Sequence, residues 1–140
     1  MDVLTLLHPK LVHFPIALFL SAWALDIIGI AFKKGSMHQA AWYVYIMAAF
    51  SSLLAVASGL WEASRLGLKH PVLYTHRNYA LAVLIVSWIS LFSIFFIRRS
   101  NPSLARLIFT IACFGTAALV VVTSFWGGKM VYEYGIGVAH

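Results

Sequence analysis

FPIALFLSAWALDIIGIAF, residues 14–32, carries a single charged side chain, Asp26, and is followed at once by Lys33-Lys34-Gly35. An apolar run of that length meets the requirement of about 20 residues for crossing a bilayer core. Pro15 falls in its first turn, where the missing N–H costs nothing. The stretch reads as a membrane-spanning helix. The small residues around Trp23 (Ala22, Ala24) have some likeness to a leader cleavage site. Only Lys10 against Asp2 stands upstream, however, so a retained helix is expected.

Working outward, three more segments have the same character. They run from about Gln39 to Ser64, from about Asn78 to Ile97 with Arg98-Arg99 as a stop, and from about Leu104 to Trp126. Asn101-Pro102-Ser103 opens the last, and Gly127-Gly128 is read as its end. The whole chain agrees with its parts: 140 residues, 62% hydrophobic, 10% charged, mean hydropathy +0.90. These values fall outside the soluble range. The expected fold is all-α. It is a single domain, residues 1–140, forming an integral membrane four-helix bundle in up-down-up-down order with both termini on one face. The helices are expected at about 14–32, 39–64, 78–97 and 104–126. Small residues on the second (Ala48, Ser51, Ser52, Ala55, Ser58, Gly59) permit close helix approach in lipid.

The net charge of +6 does not indicate nucleic acid, because the basic residues sit in short loops between apolar segments. The partners expected instead are the lipid bilayer, a redox protein or larger membrane complex, and a second copy of the chain. Lys33, Lys34, Arg98, Arg99 and Arg106 crowd the helix ends at one face; Lys10, Arg65, Lys69, Arg77 and Lys129 spread over the other. The tighter set, in the shorter loops, marks the inside. Both termini are then expected on the periplasmic side of a bacterial inner membrane. Cys113, the single cysteine, forms no internal disulfide.

That topology collects His8, His13, Glu62, Arg65, His70, His76, Arg77, Lys129, Tyr132, Glu133, Tyr134 and His140 at one face, leaving His38 at the other. Ionisable residues at membrane depth mark functional sites. His13 and His76 open the first and third helices, which are diagonal partners in a sequential ring. Two imidazoles placed so suit six-coordinate haem b, one nitrogen on each side of the iron. Arg77 or Arg65 would pair with the propionates, with Glu62 and Tyr132 also at the cofactor site and His8 at its rim. Electron transfer, rather than conversion of a substrate, is the expected activity. The alternatives are a non-haem Cu, Fe or Zn site built from His8, His13, Glu62 and His76, or an accessory subunit of a respiratory or photosynthetic complex. Histidines at helix ends also serve as plain interfacial hydrogen-bonding groups, and His70 and His140 are read that way. Asp26, deep in the first helix, is expected to pair with Arg106 or a lysine, with a proton-relay role as the alternative.

The ordered set His8-Pro9…His13-Phe14-Pro15-Ile16-Ala17, Gly59 and Glu62, His76-Arg77, and Gly127-Gly128…Val131-Tyr132…Tyr134-Gly135-Ile136-Gly137-Val138 resembles a bacterial four-helix membrane family, domain of unknown function 2231. The resemblance spans nearly the whole chain. Members are similar to small b-type membrane cytochromes, and some related proteins stand beside a Rieske-type iron–sulfur domain. The resemblance therefore implies electron transfer at the membrane, by analogy. The glycine-rich closing segment is expected to leave the helix and fold back over the histidine face.

Overall fold

In the computed structural model, which describes residues 7–65 and 67–136, every regular element is a helix: α1 (Leu7–Leu11), α2 (His13–Ala31), α3 (Gly35–Arg65), α4 (Pro71–Ile97) and α5 (Pro102–Tyr132). The last four are each long and apolar enough to cross a membrane, with mean hydropathies of 1.9, 1.7, 2.6 and 2.2 over an 18-residue stretch of each. They form a ring. α2 packs on α3 and α5, and α4 packs on the same two, while the short α1 leans on α2 and α3.

Local chemistry sets the helix ends. Lys33 adopts a left-handed φ of 53°, and the Lys34 N–H reaches back to the Gly29 carbonyl at 2.9 Å, closing α2 in a tight turn. α4 begins at Pro71, earlier than the Asn78 expected from the polar run His76-Arg77-Asn78. His70 caps it, accepting the Val72 N–H at 3.2 Å, so His76 lies inside the helix. Asn101 does the same for α5 through the Leu104 N–H at 3.0 Å. Gly127-Gly128 does not end α5. The helix runs to Tyr132 and stops at Gly135 (φ 62°), where the Ile136 N–H bonds the Met130 carbonyl at 3.1 Å. The helix instead continues through both glycines.

Apart from Phe19, Tyr45 and Phe109, much of the interior is built from small side chains, while many large ones face outward. Ala41, Ala48, Ala49, Ala112 and Ala117 are buried; Phe50, Leu54, Ile89, Phe96, Ile111 and Phe125 face outward. That inversion suits a lipid solvent, in which helices associate by close packing rather than by hiding hydrocarbon from water. Near one end, Phe109 is ringed edge-on by His38, Trp42 and Tyr45 at 5.1–5.5 Å between centroids.

The two hairpins repeat each other. Buried Ala41, Tyr45, Ala48, Ala49 and Ser52 of α3 recur at the same interval as buried Phe109, Cys113, Thr116, Ala117 and Val120 of α5 (109 − 41 = 120 − 52 = 68). Pro15, Phe19 and Asp26 of α2 recur as Val83, Ser87 and Ile94 of α4, buried likewise. The bundle is thus two similarly directed hairpins, the arrangement of a parallel repeat about an axis along the membrane normal.

Candidate functional site

The repeat carries His8 onto His76 and Gly59 onto Gly127 (76 − 8 = 127 − 59 = 68). In each hairpin an imidazole from the leading end is seated on a glycine late in the second long helix. A Cβ on Gly59 would stand 2.6 Å from His8 Cε1, closer than two such atoms can approach. On Gly127 it would stand 3.1 Å from His76 Cε1 and 3.3 Å from Nδ1. Glycine is what lets both rings lie flush with the helix backbone.

Hydrogen bonds fix the rings. The Ser58 hydroxyl donates to the Ala55 carbonyl at 2.9 Å, so its oxygen is left to accept from His8 Nδ1–H, also at 2.9 Å. His76 Nδ1–H donates to the Thr123 carbonyl at 3.0 Å, a group that can only accept. In the neutral form of each ring the proton is therefore on Nδ1, and Nε2 keeps its lone pair. The two rings lie within electrostatic range of each other.

The remaining predicted site residues are less enclosed. His13 is the exposed first residue of α2. Glu62 is half-buried and within reach of the Arg65 charge, and Arg65 lies over the Trp61 ring at 5.3 Å. Arg77, exposed, stacks on Tyr74 at 5.0 Å. Tyr132 is 90% exposed at the end of α5. Tyr134 leaves the helix and rests on His70, ring centroids 4.7 Å apart, so the start of the tail does return to the α3–α4 turn. His140 and the final residues of the tail lie outside the described residues. The pair brought together is His8 with His76. Among the described residues no group of three or more His, Cys, Asp or Glu side chains is placed to hold a metal ion, so His8, His13, Glu62 and His76 do not converge as one ligand set.

Ser58, Thr123 and Gly127 were not anticipated at this site. Thr123 acts through its backbone, which no side-chain motif reports. Gly127 was hidden because Gly-Gly reads as a helix end. The equal His-to-Gly intervals in the two halves were the available signal.

At the opposite face Asp26, 1% exposed, holds His38 Nδ1 at 2.5 Å from its Oδ1. This corrects the expected pairing with Arg106 or a lysine. The tight turn at Lys33 brings the first turn of α3 directly over α2, so His38 reaches the carboxylate while Arg106 stays exposed.

Burial first, and the nearby His76 second, hold the His8 imidazole below its ordinary value against a smaller opposing effect of the Ala55 carbonyl. The proton thus binds the unfolded chain more readily than the folded one. Stability from this residue is complete above pH about 6.5 and is lost as the pH falls below that toward the depressed folded value. The thermal midpoint of the haem-free, detergent-solubilised protein is expected to drop between pH 7.5 and 5, and less steeply in His8→Gln. Equal slopes for the two proteins would contradict this.

A family model described as a predicted membrane protein (DUF2231) matches residues 5–140. Neither the curated proteins nor the solved structures contain a match.

Proposed function

The chain belongs to the DUF2231 family of membrane proteins, and from the geometry of its histidine end we propose that it transfers electrons through one haem b held between His8 and His76. The observation carrying this reading is the matched seating of the two rings. Metal-bound imidazoles characteristically donate their second N–H to a carbonyl or similar acceptor, which fixes ring orientation and raises basicity. His8 and His76 both do so through Nδ1, to Ser58 and to Thr123, and both keep Nε2 for a metal. The donor set fits bis-imidazole haem better than a bare ion, since no third ligating side chain joins it among the described residues.

Bound haem supplies a one-electron couple whose potential follows its axial ligands, burial and surrounding charge. The protein's part is positional. Gly59 and Gly127 admit the rings close to the helix backbones. Arg77 and Arg65, stacked on Tyr74 and Trp61, offer guanidinium groups to propionates at the same face. Both ligands lie at one end, so electrons would enter and leave there, exchanging with a redox protein or a larger membrane complex. In a bacterial inner membrane that end is read as periplasmic. His38, the one histidine at the other end among the described residues, is engaged by Asp26, so no bis-histidine pair stands there.

Absorbance of the detergent-purified protein from haem-replete cells tests the proposal. A Soret band with sharp reduced α and β bands is expected. Their absence together with bound copper, iron or zinc would replace haem by a metal ion completed by external ligands. Absence of any cofactor would favour an accessory subunit.

A further inference from the structure

Asp26 is the only charged side chain buried in the bundle among the described residues, and the architecture does not require it. The repeat places buried Ile94 at the same position of the second hairpin, and Arg106 where His38 stands. One hairpin closes with hydrocarbon what the other closes with a hydrogen-bonded histidine–aspartate couple. A carboxylate at membrane depth costs a few kcal/mol that isoleucine avoids. Its Oδ2 has no hydrogen-bond partner among the described residues, although the group is 1% exposed. His38, at 21% exposure, links it to the surface.

Polar groups continue inward from this couple. Tyr45 stands two helical turns beyond His38 on the same side of α3, wholly buried, its hydroxyl unpartnered. That hydroxyl is directed toward Thr116 and Ser90 without closing a bond to either. Thr116 and Ser52, also buried, each donate to a carbonyl of their own helix, at 2.7 and 2.8 Å, and so keep lone pairs free to accept. At the far end Ser58 is bonded to His8. Successive positions on one stripe of α3 (His38, Tyr45, Ser52, Gly59) are about 10 Å apart along the axis, and groups from α4 and α5 fall between them.

We propose that these groups form a proton path through the bundle, entered at His38 and Asp26, relayed by Tyr45, Thr116 and Ser52, and leaving at the end of α3 that carries Ser58 and Gly59. As His38 takes a proton from hydronium at the face on Nε2, its Nδ1 proton passes to Asp26, and a flip of the neutral ring then returns an N–H toward the carboxylate. Rotation of the neutral carboxyl then presents the proton inward from the free oxygen, and its release restores the carboxylate. Tyr45 accepts on its oxygen as it gives up its own hydroxyl proton, so no net charge accumulates on it. Water molecules bridge the intervals longer than a hydrogen bond. The path stands independently of haem, since no step uses an electron.

The test is proton entry into phosphatidylcholine–phosphatidylglycerol vesicles containing the full-length protein, driven by a valinomycin potassium potential and read with internal pyranine. Entry is expected to exceed that of protein-free vesicles, and Asp26→Asn and Tyr45→Phe are each expected to return it to the protein-free rate. Tyr45→Phe removes only an unpartnered hydroxyl, so it decides the matter should Asp26→Asn fold poorly. Wild-type entry equal to that of empty vesicles, or full entry through a folded Tyr45→Phe variant, overturns the proposal. An unchanged visible spectrum in these variants keeps the outcome separate from that of the haem reading.

Discussion

Replacing His8 by alanine is expected to abolish the sharp reduced α band of the purified protein. His76→Ala is expected to do the same, while His13→Ala leaves the band intact. On the proposed haem reading, the first two would remove one of two axial nitrogens from a site with no third ligating side chain among the described residues; the last alters an exposed residue. The effects around the ligands differ in kind. Ser58→Ala removes the oxygen that accepts from His8 Nδ1 and should weaken haem retention about 10–100-fold, the usual effect of losing such a supporting partner. Thr123→Val keeps the carbonyl that accepts from His76 and should change little. A bis-imidazole spectrum surviving in His8→Ala, or lost in His13→Ala, would move the ligand assignment back to His13.

The second large effect concerns stability. His38→Ala strips the one hydrogen-bond partner, among the described residues, of a carboxylate that is 1% exposed. Leaving a buried polar group without its hydrogen-bond partner costs about 1–3 kcal/mol, more where the group is charged. The cost here should fall toward the lower end, since His38 is partly exposed. Adding Asp26→Ile should restore most of the loss, because the second hairpin already buries Ile94 at the equivalent position. Thermal midpoints of the two single variants and the double variant in one detergent give the coupling directly. A His38→Ala protein as stable as the wild type would show that Asp26 finds another partner or carries its own proton.

The membrane bundle was legible in the sequence because the bilayer imposes a length and a polarity that few other contexts demand. Helix ends were harder to read. His76-Arg77-Asn78 looked like the start of a helix that in fact begins at Pro71, since a helix may continue past the lipid core into water. Gly127-Gly128 looked like a stop because glycine ends helices in water, whereas here one of the two is the seat of His76. The histidine-bearing face was visible from topology alone. Which histidines share a site was not, because the break between α1 and α2 at Val12 decides the placement of His8, and no periodicity reports it. Asp26 was recognised as unusual from its position, but its partner depended on a tight turn at a non-glycine residue, Lys33.

The lengths of α3 and α5 have a bearing on where electrons could be exchanged. Each has 31 residues, about 46 Å at 1.5 Å per residue, against a hydrocarbon core about 30 Å thick. Lys33, Lys34, Arg98 and Arg99 fix the opposite turns at the headgroups. The surplus of about three turns then extends beyond the core on the side of Gly59 and Gly127, even after modest tilt. The imidazole pair accordingly sits at headgroup level, rooted in the bundle but overlapping the aqueous boundary. A water-soluble partner could dock against it without entering lipid, and the composition of the headgroups, as much as the protein, would set the charge it meets on approach.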